Sequence, residues 1–242
     1  MKRSVLNSAL AGAAAHGDLD AVRELLEAGA DIAAQENQAL RLAAQEGHLQ
    51  VVRYLLEQGA DKSARDFLAM RLAAEKGYLD VVQYLVEAGS DVQAAENYAA
   101  GMAVQNGHLR VVRYLHEHGA DIKARQGAMA VVAAAQGHID VLQYLGEQGV
   151  DLGAEHGAAL MVAAREGRLD IVRYLVDRGV DPRSRDDAPL IMAAQNGFAD
   201  VVRYLLDHGA DPAAQGHRAA SLAEECGNHK VAAMLRTHEQ RR

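Results

Sequence analysis

The chain has 242 residues, half of them apolar, with no tryptophan, one cysteine and a formal charge of -8 at pH 7. This balance supplies aliphatic material for a continuous core and disfavours a nucleic-acid backbone or an anionic membrane as partner. The lone Cys226 excludes an internal disulfide and fits a reducing, cytoplasmic setting.

The first stretch carries Lys2 and Arg3 ahead of a mildly apolar run ending in small residues, as a secretion signal would. However, Leu10, Ala13, Ala14, Gly17 and Leu19 return thirty residues later as Leu40, Ala43, Ala44, Gly47 and Leu49. The stretch is therefore read as the first helix of a repeating unit. Glycine recurs on the same clock at 17, 47, 77, 107, 137, 167, 197 and 227, and again from 29 to 209. A fixed period of this length is the signature of a solenoid, in which each unit contacts only its neighbours. No apolar run approaches the ~20 residues of a membrane span.

Within the unit 38–67 two short apolar segments flank the break at Glu46-Gly47-His48. The first, with Leu40, Ala43 and Ala44 inward, predicts a helix whose alanines admit a close neighbour. The second, with Leu49, Val52 and Leu56 at helical spacing and Val51 and Leu55 beside them, predicts a helix with a wide apolar stripe. Gly47 and Gly59 fall where a left-handed residue closes each helix. Asp61 opens the connector Ala60–Phe67 by bonding nearby amides, and Asn37, Asp66, Asn97 and Asp187 are expected to cap the helices that follow.

The two ends of the array tell which column faces which neighbour. Tyrosine at 54, 84, 114, 144, 174 and 204 gives way to Glu24 in the first unit, so that column is expected to face the preceding unit. The alanine column of Ala14 and Ala44 ends in Glu224, and that of Leu19 ends in His229, so these should face the following unit. The tyrosines are read as core packing with hydroxyls at the edge. Arg53, Arg113, Arg173 and Arg203, each four residues before an acid, are read as i,i+4 ion pairs on a solvated face. Gly101, Gly127, Gly146, Gly153 and Gly157 crowd the middle units, marking either a softer hinge or drift in a half-exposed column.

These residues resemble the ankyrin repeat. The family pattern stands here as Ala39-Leu40, Ala43-Ala44, Gly47-His48-Leu49, Val51-Val52 and Gly59-Ala60-Asp61, and its helix start survives as Ala188-Pro189-Leu190. The unit is three residues shorter than the usual one, and is most similar to the short variants of large DNA viruses and some bacteria. The resemblance implies an all-α, curved helix-turn-helix solenoid of about eight stacked repeats, with β-hairpin fingers reduced or absent. The expected organisation is one domain over 1–242, with an N-terminal capping repeat at 8–37, six internal repeats at 38–217 and a C-terminal capping repeat at 218–242.

Catalytic and metal chemistry find no footing: there is no HExxH, no CxxC, no phosphate loop and no nucleophile elbow. No cofactor is expected. Function is sought where the units differ, because the resemblance places the residues ahead of each inter-helix glycine on a concave side. These are Gln45, Glu46, Glu75, Lys76, Gln105, Asn106, Gln136, Arg165, Glu166, Gln195 and Asn196. The connector tips add Arg65, Phe67, Leu68, Tyr98 and Arg125, whose apolar members are either binding anchors or plugs over the core. The expectation is a monomeric, non-enzymatic scaffold for a partner protein. A viral or bacterial effector capturing a host protein would use the same surface, and a self-associating structural array is the reading from another class.

Overall fold

A computed structural model describes residues 3–124 and 127–240, which form sixteen helices and no strand. The chain divides into two compact units, Met1–Ile122 and Lys123–Arg242. The first holds α1 (Arg3–His16), α2 (Leu19–Glu27), α3 (Ala34–Gln45), α4 (Leu49–Glu57), α5 (Ala64–Lys76), α6 (Leu79–Glu87), α7 (Ala94–Gln105) and α8 (Leu109–Glu117). The second holds α9 (Ala128–Gln136), α10 (Ile139–Glu147), α11 (Ala154–Arg165), α12 (Leu169–Asp177), α13 (Ser184–Gln195), α14 (Ala199–Asp207), α15 (Ala214–Glu225) and α16 (His229–Glu239).

In each unit the odd-numbered helices form one layer, and each packs on the even-numbered helix that follows it. The odd layer is the more intimate because its contact positions are alanines: Ala43, Ala44, Ala73, Ala74 and Ala103 are fully buried. The even helices contribute branched residues such as Val51, Val52 and Leu55, also fully buried or nearly so. Glu224 and His229, at the end of the alanine and leucine columns, are exposed and bond each other at 2.8 Å.

The inter-helix glycine does two jobs. Gly47 has φ 78°, and the His48 N–H donates to the Ala43 carbonyl at 2.8 Å, closing the helix as expected. The same site also lies under the next repeat. A Cβ added to Gly17 would sit 2.6 Å from the His48 ring, and one on Gly47 would sit 2.7 Å from the Tyr78 ring. His48 and His108 each bond the carbonyl 33 residues back, Ala15 and Glu75, at 2.9 Å. The histidine column is therefore a joint between repeats.

The connectors differ from the expected cap geometry. Asp61 does bond Ser63, through both the backbone N–H and the hydroxyl, and this holds its carboxyl below the usual range. Beyond it, Gln35, Glu36 and Asn37 occupy consecutive left-handed conformations, as do 65–67, 95–97 and 185–187. Non-glycine residues pay about 1–2 kcal/mol each there, so the turns must be held by tertiary bonds. Asn37, Asn97 and Asp187 do not cap their own helices. They accept the N–H of Asp61, Asp121 and Asp211 in the following repeat at 2.7–2.8 Å. Asp66 is exposed and makes no capping bond. In the same column Gly127 and Gly157 lie at positive φ with the next connector drawn tight against them: a Cβ on Gly157 would be 2.5 Å from Ser184 Oγ.

Gly146 leaves space that the following repeat fills. A Cβ there would lie 2.6 Å from the Tyr174 hydroxyl and 3.0 Å from Leu152 Cδ1, so glycine makes room for the tyrosine of the following repeat.

Candidate functional site

The tyrosine column faces the preceding repeat. Arg23, Arg53 and Arg173 lie over the rings of Tyr54, Tyr84 and Tyr204, one repeat on, at 4.9–5.6 Å. This corrects the i,i+4 reading for Arg53 and Arg173: a planar guanidinium gains more from a neighbouring ring than from a mobile, solvated carboxylate. Arg203 instead pairs with Asp200, three residues before it, at 3.5 Å. The tyrosines are half-buried, except for the buried Tyr144. Burial pushes the phenols of Tyr114, Tyr174 and Tyr204 above their usual range. Tyr54, Tyr84 and Tyr204 each have one ring face covered by an arginine of the preceding repeat.

The residues ahead of the inter-helix glycines end the odd-numbered helices. Glu46, Lys76, Gln105, Asn106, Gln136, Arg165, Glu166 and Asn196 are exposed, while Gln45, Glu75 and Gln195 are half-buried. Several fold back on their own helices. Asn106 and Asn196 donate to the carbonyls of Met102 and Met192 at 2.8 and 2.9 Å, and Arg165 pairs with Glu166 at 2.9 Å. Gln45, Glu46 and Gln136 keep their side chains uncommitted.

The connector tips lie at the opposite end of the same helices, about 10 Å away at the rise of an α-helix. The structure therefore does not merge the two predicted sets in one patch. Arg65 is exposed and pairs with Glu36 at 2.7 Å, and Phe67 and Leu68 are half-buried. Tyr98 is 43% exposed, with Arg71 over its ring at 4.2 Å. Arg125 lies outside the described residues. Glu36, Asn37, Asp61, Arg65, Asp66, Leu68 and Arg71 line an open cleft of 710 Å³ in the first unit. Sequence reasoning had Arg65 and Leu68 but missed Arg71, although its column, which runs Arg41, Arg71, Gly101, Val131, Met161, confines arginine to two repeats.

Among the described residues no group of three or more His, Cys, Asp or Glu is placed to hold a metal ion, and no helix is long and apolar enough to cross a membrane. A stack of helix pairs with a uniform core and a variable rim is the architecture of a recognition scaffold.

The family profile for ankyrin repeats (3 copies) matches residues 4–66, 70–156, 100–186 and 160–241. The chain belongs to the ankyrin-repeat family. Among solved structures it is similar to the human ASB11 ankyrin repeat domain, with a TM-score of 0.71 at 24% identity, covering 82% of this chain and 96% of that one. At that identity the likeness concerns the fold. No curated protein matches the sequence. Ankyrin repeats are in general protein–protein interaction modules.

Proposed function

We propose that this chain is a monomeric, non-enzymatic, cytoplasmic scaffold that binds a partner protein through the variable ends of its odd-numbered helices and its connector tips. The observation that carries the reading is the contrast between columns. Ala43, Ala73, Ala103, Ala133, Ala163 and Ala193 are identical and fully buried, whereas the positions two and three residues beyond them change from Gln-Glu to Glu-Lys, Gln-Asn and Arg-Glu. A packed frame that holds differing side chains in fixed positions lowers the ordering cost of binding.

Affinity capture from a native lysate tests it. Replacement of Phe67, Tyr98 and Gln105 by alanine should abolish capture of partners retained by the wild type. Replacement of Glu57 and Glu117 on the even-numbered helices should leave capture intact. Equal capture by all three proteins would refute the assignment of the surface.

A further inference from the structure

Arg71 in α5 departs from its counterpart in the preceding repeat. Arg41 gives its guanidinium to the carbonyls of Gln35 and Glu36 at 2.8 and 3.2 Å and thereby holds the left-handed turn. Arg71 makes no hydrogen bond and no ion pair, and its Nε is shut off from solvent without a partner. Its guanidinium lies instead over the ring of Tyr98, an exposed aromatic, at 4.2 Å. The next member of the column is Gly101, where an added Cβ would meet nothing within 4 Å, so no side chain closes over that position.

The acids nearby do not serve as counter-ions. Glu36 is held by Arg65 at 2.7 Å, Asp61 accepts from the backbone and hydroxyl of Ser63, and Asp66 stands exposed without an ion pair. What remains in the cleft is a permanently charged, planar group that presents the four donors of its two terminal nitrogens, partly desolvated and orientated by a ring. A group in that state gains most from a carboxylate that meets it edge-on with two parallel hydrogen bonds. Its position over the tyrosine means that little freedom is lost when the pair forms.

We infer that Arg71, held over Tyr98, anchors a single acidic side chain of an extended segment in the partner protein. The inference rests on the protein-binding reading above and names the chemistry of one contact within it. The segment carries one acid and not a run of them, because Asp66 and the chain's charge of -8 repel further negative charge. Leu68, half-buried in the same cleft, receives an apolar neighbour of that acid.

The test uses the full chain and an array of random dodecapeptides, followed by fluorescence polarisation on the peptides selected. Wild-type protein should select peptides with one Asp or Glu beside an apolar residue. Changing that acid to its amide should weaken binding about tenfold or more, as loss of a charge-assisted pair does. In Arg71→Gln the same peptide change should have no further effect, and Arg71→Lys should recover only part of the affinity, since lysine lacks the planar fork. Thermal unfolding of each variant verifies the fold. Peptides selected without an acid, or an acid-to-amide cost that is the same in Arg71→Gln as in wild type, would overturn this inference while leaving the protein-binding reading standing. An array with no binders would sink both.

Discussion

Gly77→Ala and Gly59→Ala separate the two jobs of glycine in this fold. Both residues are left-handed, with φ 80° and 92°, so alanine at either pays about 1–2 kcal/mol of backbone strain. About half of that is returned by a less flexible unfolded chain. At Gly59 nothing lies within 4 Å of the added methyl, and the net cost should stay near 1 kcal/mol. At Gly77 the methyl would sit 2.6 Å from His108 Nδ1 and 2.8 Å from Cε1. The ring must move, which adds about 1–3 kcal/mol of overpacking and about 1 kcal/mol for the bond from His108 to the Glu75 carbonyl. Gly77→Ala should therefore be about 2–4 kcal/mol less stable than Gly59→Ala. Urea unfolding followed by circular dichroism and by tyrosine fluorescence measures the gap, the two probes checking that the transition is a single one. In a His108→Ala background the extra cost of Gly77→Ala should largely vanish, because the two changes act on one contact. Equal destabilisation by the two glycine variants would refute the stacking account of the joint.

Asn37→Ala removes a buried acceptor of the Asp61 N–H and should cost about 1–3 kcal/mol. Amide exchange should accelerate at Asp61 while that at Asp31, bonded to Asn7, stays slow. Ala95→Gly relieves a residue held at φ 50° and should raise stability by up to about 1 kcal/mol in urea unfolding. Asp187 is buried where Asn37 and Asn97 stand in other repeats, and burial raises its pKa, against the bond from Asp211 N–H and the nearby Arg183. An acid whose native pKa is raised favours the folded state below its unfolded value of about 3.9 and loses that advantage as pH rises through the native one. Asp187→Asn should thus match the wild type at pH 3 and equal or exceed it at pH 7, as read by thermal unfolding at both values.

The repeat, the two helices per unit and the orientation of the tyrosine and alanine columns were legible because each is a periodic signal or an end effect of one. Leu40, Ala43 and Ala44 share a helix face by spacing alone, and Glu24 and Glu224 interrupt the tyrosine and alanine columns at opposite ends of the array. The joints were not legible in the same way. Asn37 has the chemistry of a helix cap, and the cap is the local use of an Asn before an apolar run. Its partner is instead the N–H of Asp61, 24 residues on, a pairing that becomes available only once the left-handed turn lifts it out of capping position. Likewise Arg53 has Glu57 at i+4, yet its guanidinium goes to Tyr84. In both cases the competing partner lies one repeat away, where single-helix spacing rules carry no information.

That pattern also separates frame from function. Residues that bridge repeats, such as His48, Asn37, Arg53 and Tyr84, satisfy one another and are spent on the stack. The rim residues in phase with them are left with whatever the stack does not use. Arg41 and Arg71 occupy one column, but the first is consumed by the carbonyls of its turn and the second is not. In a repeat protein the position to examine is therefore the copy whose donors remain unspent. By that measure the cleft of the first unit, with Arg71 over Tyr98, ranks ahead of the self-paired Asn106, Arg165 and Asn196.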